Sequence, residues 1–354
     1  MDLANLFDYL YWRGGLSMAA APFTPVDGLI LSWLASMPLK SPTPATLGEA
    51  AARAADGGEA EGDGLRFLRA MADSPRFRDM ELQRFEEKFS ESEEMQFAAL
   101  TALTGDGRAF VAFRGTDATL VGWKEDFNMA FAEEVPAQRE AVRFLDQAAA
   151  LGIPLRVGGH SKGGNLAVYA AARCSGAAQA RISLVMNYDG PGLNPGVMDS
   201  AGYRAVEPRI ETWLPEASIV GILLERSPRY HVVRSDAVGP LQHSPYSWQV
   251  TPDGFVTVEE LSGASLYADR TIRQWLNSMS LADREAFVEA LYDIVGATQA
   301  RTLDEISENW RKSGWQMLNA LDGLDLRTKS MLFLSLGKLI LSAVRTLDAA
   351  HPKG

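Results

Sequence analysis

Cysteine is nearly absent: the chain of 354 residues has one, Cys174. That excludes an intramolecular disulfide and a cysteine-built metal cluster. Histidine is scarce too, at positions 160, 231, 243 and 351 only, so chemistry that needs an imidazole has few candidates. There is no excess of positive charge. Lys and Arg number 34 against 45 Asp and Glu, a formal net charge of −11. A nucleic-acid partner would call for a basic patch, so none is expected. Standing attachment to an anionic membrane is disfavoured, with room left for transient membrane contact. A long apolar run is missing as well. The longest, Met331 to Val344, is broken by Lys338; it is too short to span a bilayer and reads as a buried or interfacial helix. The opening residues, Met1 to Tyr9, are acidic and lack the basic region of a signal peptide. The expected location is therefore cytoplasmic.

The residues that are present describe an ordinary globular chain, 47% hydrophobic and 22% charged. Its length admits one large α/β domain with additions, or two domains. The most informative segment is Gly159-His160-Ser161-Lys162-Gly163. It lies between a short apolar run, Pro154 to Gly158, and a helix-like run, Asn165 to Ala172. A G-x-S-x-G pattern in a strand–turn–helix setting is a nucleophile elbow. The sharp turn strains the serine backbone and needs neighbours without Cβ. It lifts the hydroxyl above the sheet, towards the amides of a helix N-terminus. Two other readings stand beside it. One is a glycine-rich βα turn with an inert serine. The other is a phosphate-cradling loop around Lys162, which lacks the G-x-x-x-x-G-K-[ST] order.

Pattern along the chain places helices before and after a central sheet. Helical spacing marks residues 1–38 and 64–72, and Gly57 to Gly64 reads as a solvated loop. The acidic stretch Glu86 to Glu94 reads as a solvated face or turn. The sheet is expected to start at Gln96 to Thr104, which pairs through a Gly105-Asp-Gly107 turn with Arg108 to Arg114. Helices are expected near Trp123 to Ala132 and Pro136 to Leu151. The elbow strand and helix come next, then a strand at Arg181 to Asp189. Pro195 to Arg226, with Trp213, Leu214, Ile219 and Ile222, reads as a helical cap-like insertion: an apolar lid or core packing. Tyr230 to Ser235 is a further strand, Ser247 to Val250 and Phe255 to Val258 are short edge strands, and the pattern from Leu266 onward is helical. Alternating strands and helices argue for an α/β fold with a mostly parallel central sheet, helices on both faces, and extra N- and C-terminal helices. The expected organisation is an N-terminal helical extension over 1–95, a core over 96–262 with its insertion at about 195–226, and a C-terminal helical region over 263–354.

A serine nucleophile needs a base, and the base needs an orienting acid. His351 is in the terminal tail, His160 sits inside the elbow, and His231 lies on an expected strand. His243, in the loop Pro240 to Trp248, follows the serine in chain order and is the expected base. For the acid, Asp189 ends the strand after the elbow helix and is favoured. Asp236 ends the following main strand and is the alternative; each could instead cap a turn. Oxyanion donors are expected from the amide of Lys162 and from Thr116, in the Phe113-Arg-Gly-Thr-Asp117 loop, with its N–H and hydroxyl.

These segments carry a family resemblance. Phe113-Arg-Gly-Thr116 and Gly158-Gly-His-Ser-Lys-Gly-Gly-Asn165 resemble the class 3 lipase group of α/β-hydrolases. The chain is more similar to the bacterial Mbeg1-like (DUF2974) family, a lipase relative of unknown function. That similarity includes Leu6 to Gly14, Val26 to Ser32, Gly122 to Asp126, Asn187 to Gly192 and Gln242 to Trp248. The resemblance implies Ser161 as nucleophile, Thr116 as oxyanion donor and a histidine at 243. In class 3 lipases the histidine lies well beyond the acid. Asp236 is close to His243, which lends weight to Asp189. Lys162 is untypical of secreted lipases and suggests an anionic substrate group. The expected activity is hydrolysis of a small-molecule or lipid carboxylic ester through an acyl-enzyme, with no metal and no organic cofactor needed. The alternative is a hydrolase-like scaffold with vestigial catalysis that binds an acyl ligand or a protein partner. A third reading is acyl transfer on the same chemistry.

Overall fold

Among the described residues, the residue patterns resolve into eleven strands and fourteen α-helices in a computed structural model. It describes residues 4–37, 39, 44–56, 62–117, 119–129, 131–225, 227, 229–300, 305 and 309–350. The strands are β1 (Ala45–Thr46), β2 (Glu81–Ser90), β3 (Met95–Leu103), β4 (Ala109–Phe113), β5 (Leu155–His160), β6 (Ile182–Tyr188), β7 (Ile210–Pro215), β8 (His231–Val233), β9 (Val250–Thr251), β10 (Gly254–Phe255) and β11 (Thr257–Val258). The helices are α1 (Leu6–Arg13), α2 (Pro25–Leu34), α3 (Leu47–Asp56), α4 (Asp63–Ala72), α5 (Leu120–Asn128), α6 (Pro136–Ala148), α7 (Lys162–Arg173), α8 (Gly176–Gln179), α9 (Pro195–Met198), α10 (Ala201–Val206), α11 (Gly263–Asn277), α12 (Leu281–Gly296), α13 (Trp310–Gly323) and α14 (Leu326–Ala350).

The chain divides into two compact units. The first holds residues 1–89, 97–115 and 137–262; the second holds 90–96, 116–136 and 263–354. This differs from three consecutive stretches, because two short segments of the middle of the chain belong with the C-terminal helices.

Among the described residues nine strands form one sheet in the order β1-β2-β3-β4-β5-β6-β7-β8-β11, and β9 and β10 form a separate small hairpin. From β4 to β8 every neighbouring pair is parallel. β3 and β11 pair antiparallel with β4 and β8. Successive side chains on a strand point to opposite faces, and β5 shows what covers each. A Cβ at Gly158 would stand 2.8 Å from Ser32 Oγ of α2, whereas one at Gly159 would stand 2.1 Å from the backbone of Gly163 in α7. α2 and α7 thus lie on opposite faces of the parallel strands. The α2 face is the larger core: Leu29, Ile30, Leu31 and Tyr9 pack there with Phe67, Phe110, Tyr188 and Trp248. One ion pair is sealed within it. Arg76 Nε and Nη2 donate to Asp27 Oδ1 and Oδ2 at 2.7 and 2.6 Å, with both side chains fully buried. The remaining guanidinium protons go to the carbonyls of Leu16, Ala21 and Pro22.

Two expectations are corrected. The sheet does not begin at Gln96: β1 and β2 precede it, and the acidic stretch from Glu86 supplies the end of β2. Its charges tolerate a strand because they are paired, with Lys88 on Glu140 at 2.8 Å and Glu86 held by Arg84 and Arg143. The segment Pro195 to Arg226 is not a helical cap. After the short α9 and α10 it becomes β7, which sits inside the sheet between β6 and β8. Trp213 and Leu214 are therefore core residues, 7% and 0% exposed. A strand covered on both faces has no alternation, and its apolar run cannot be told from a buried helix by periodicity. The loop expected at 57–64 lies mostly outside the described residues.

The second unit is helical. α5 packs on α12, and α11 and α12 pack on α14. Leu120, Trp123, Phe127, Val288, Leu291 and Tyr292 line a cleft of about 250 Å³ between α5 and α12. Lys124 at its edge is paired with Glu94 at 2.7 Å and Glu289 at 3.0 Å.

Candidate active site

β5 ends at His160, and its register pairs His160 with Tyr188 at the end of β6. The residues that follow, Ser161 and Asp189, therefore leave neighbouring strands at the same level. The ladder continues one step past the strands: Ser161 N–H donates to the Tyr188 carbonyl at 2.9 Å, and Asp189 N–H to the Trp213 carbonyl at 2.9 Å. Both residues then turn sharply with positive φ, 58° at Ser161 and 48° at Asp189. For residues with a Cβ this conformation costs on the order of 1–3 kcal/mol. It persists because the surroundings fix it.

At Ser161 the constraint is close backbone packing. α7 starts at the next residue. The Cβ of any residue replacing Gly163 would lie 2.1 Å from the Phe113 carbonyl oxygen, and that of one replacing Gly159 would be equally close to Gly163. Gly115 brings the loop after β4 up to the elbow; a Cβ there would be 2.9 Å from the His160 carbonyl and 3.2 Å from Ser161 Cβ. Ser161 itself remains partly exposed at the N-terminus of α7. A helix N-terminus favours developing negative charge.

At Asp189 the constraint is polar. Asn187 Oδ1 accepts from Gly190 N–H at 2.9 Å and pins the turn. The carboxylate is buried, 1% exposed, and both of its oxygens are engaged. Oδ1 accepts from Ser218 Oγ at 2.5 Å and from Gly221 N–H at 3.1 Å. Oδ2 faces His243 Nδ1 at 2.6 Å. A carboxylate there makes Nδ1 the protonated nitrogen and leaves Nε2 as acceptor. The imidazole of His243 is 30% exposed.

The loop that carries His243 is tied down by its neighbour. Gln242 accepts from Ala217 N–H at 2.7 Å and donates to the Ala237 carbonyl at 3.0 Å. The buried Trp248 donates from Nε1 to the Gln242 carbonyl at 2.9 Å. His160 lies underneath. Its Nε2 is 2.8 Å from the His243 carbonyl, and the two rings are 4.5 Å apart. Burial first, and the neighbouring His243 second, hold the His160 pKa well below the usual histidine value. It is therefore neutral at pH 7, and Nε2 carries the proton that this carbonyl accepts.

The structure thus brings Asp189 and His243 together, at the level of Ser161. Among the described residues the Ser161 hydroxyl makes no hydrogen bond to His243. Asp236 is exposed and its N–H bonds the Ser247 carbonyl; its carboxylate has no hydrogen bond to His243. His231 stacks on Trp213, with ring centroids 4.2 Å apart, and His351 lies outside the described residues. Lys162 is buried, 1% exposed. It presents no solvent-facing cation, so the expected preference for an anionic substrate group loses its basis. Thr116 belongs to the second unit, where its hydroxyl donates to Asp126 at 2.5 Å. The sequence reading missed Ser218, Gly221, Asn187 and Gln242. Gln242 and Asn187 flank the chemical residues in chain order; Ser218 and Gly221 gave no signal.

The fold and site define an α/β protein that presents a serine at a strained elbow, beside a carboxylate–imidazole pair. The Mbeg1-like family model matches residues 71–293, more than half of the chain. The chain belongs to that family. No curated protein matches it. Among solved structures, the crystal structure of M37 lipase is similar with a TM-score of 0.39 and 13% sequence identity, over 57% of this chain and 70% of that one.

Proposed function

We propose that the protein is a serine hydrolase of carboxylic esters, lipase- or esterase-like, with Ser161 as nucleophile, His243 as base and Asp189 as orienting acid. The observation that carries this reading is the 2.6 Å contact between Asp189 and His243 Nδ1, at the end of the strand beside the one that delivers Ser161. Ser161 Oγ attacks the acyl carbonyl while His243 Nε2 takes its proton, and Asp189 stabilises the imidazolium that forms. The amide of Lys162, at the start of α7, donates to the oxyanion. His243 then protonates the leaving alcohol, and water releases the acyl group by the reverse proton path. Neither step calls for a metal or an organic cofactor.

A fluorophosphonate probe tests the reading. It should label the wild type, fail on Ser161→Ala and react much more slowly with His243→Ala. A well-folded wild type that takes no label overturns the hydrolase and leaves the catalytically vestigial scaffold.

A further inference from the structure

The C-terminal helix α14 is amphipathic in the reverse sense for a packed helix. Ser335 and Ser342 are buried with Leu332, and the Ser335 carbonyl accepts from Trp275 Nε1 of α11 at 2.8 Å. The large apolar side chains face out: Leu326 is 82%, Phe333 62%, Leu334 66% and Ile340 66% exposed. A helix advances about 100° per residue. Leu326, Phe333 and Ile340 therefore form one line, with Leu334 and Leu341 on one shoulder and Leu336 on the other. An ordinary surface helix turns that stripe towards the core.

Positive charges frame the stripe. Lys329 falls beside Leu336, and Arg327 and Lys338 fall beyond Leu334. From Leu326 to Leu341 there is no Asp or Glu, in a chain whose net charge is −11. Lys338 Nζ reaches the Ser278 carbonyl at 3.0 Å; Lys329 Nζ reaches the Asp322 carbonyl and lies 3.7 Å from the Asp322 carboxylate, so Arg327 and Lys338 carry most of the positive frame. Among the described residues no helix is long and apolar enough to cross a membrane. An apolar stripe flanked by cations suits a helix lying in the headgroup region, with its stripe in the acyl boundary and its cations at lipid phosphates. A second copy packed stripe to stripe would set the same cations against each other.

We propose that α14 docks flat on an anionic phospholipid surface. This goes beyond the ester hydrolase reading and does not depend on it. The test is flotation of the full chain with vesicles of phosphatidylcholine containing about a third phosphatidylglycerol. The wild type should float with them, and less with phosphatidylcholine alone or in high salt. Phe333→Asp with Ile340→Asp should weaken partitioning on the order of a hundredfold, since each large apolar side chain contributes roughly tenfold. Arg327→Glu should weaken it about fivefold or more. Both variants should keep the wild-type circular dichroism and melting curve, because the substituted side chains are exposed; if the double variant misfolds, Arg327→Glu and the salt series carry the test. The proposal fails if the wild type stays with unbound protein, or if folded variants float as well as it does. It also fails if sedimentation shows a wild-type dimer that the Phe333/Ile340 variant converts to monomer, which would assign this face to a second copy.

Discussion

Replacing Asp189 by Asn separates the role of its charge from the role of its shape. The carboxylate accepts three hydrogen bonds, two on Oδ1 and one on Oδ2. Asparagine keeps the oxygen that serves Ser218 and Gly221, so the fold should lose no more than about 1.5 kcal/mol. The amide nitrogen then faces His243 Nδ1 and donates to it. The imidazole must answer with a bare Nδ1 and a protonated Nε2, the wrong tautomer for taking a proton from Ser161. On a Ser-His-Asp mechanism the rate should fall by about three to four powers of ten, or roughly 4–5.5 kcal/mol of barrier. Asp189→Ala should behave differently. It leaves a buried hydroxyl and a buried N–H without this acceptor, at about 1–3 kcal/mol each, so it should lower the melting temperature as well as the rate. The assay is the second-order rate of fluorophosphonate labelling, with thermal melts and imidazole ¹⁵N shifts on the same samples. If the Asn variant labels at the wild-type rate with an unchanged tautomer, the assignment of Asp189 is refuted.

Arg76→Met should leave the carboxylate of Asp27 buried without its ion pair and cost about 3–5 kcal/mol in denaturant titration; Asp27→Asn in the same chain should recover part of it. Gly159→Ala places a methyl 2.1 Å from the Gly163 backbone, so it should yield little folded protein, whereas Gly254→Ala, which has open space, should melt within about 0.5 kcal/mol of wild type. The depressed pKa of His160 means that the unfolded chain binds a proton the folded one refuses. Stability should therefore be full above the ordinary histidine value of 6.5 and fall as the pH drops below it. His160→Gln should flatten that slope in chemical denaturation from pH 7 to pH 5, and an unchanged slope would show that another group is responsible.

Local chemistry made much of the site legible in the sequence. The elbow follows from glycines placed where backbone packs on backbone, and an apolar strand followed by a small-residue helix marks its setting. His243 stood out as the candidate base because only four histidines exist and only one follows the serine in a loop. The proposed preference for Asp189 over Asp236 was not local: both were expected at strand ends, and only the register of β6 on β5 sets Asp189 level with Ser161, where its carboxylate meets His243. Tertiary structure alone also decided that Ile210–Pro215 is a strand and that charged β2 joins the sheet. Burial on two faces erases the periodicity that separates strand from helix, and paired charges remove the penalty that marks a solvated turn. Ser218 and Gly221 reach the carboxylate from about thirty positions away in the chain, a distance over which no sequence pattern carries orientation.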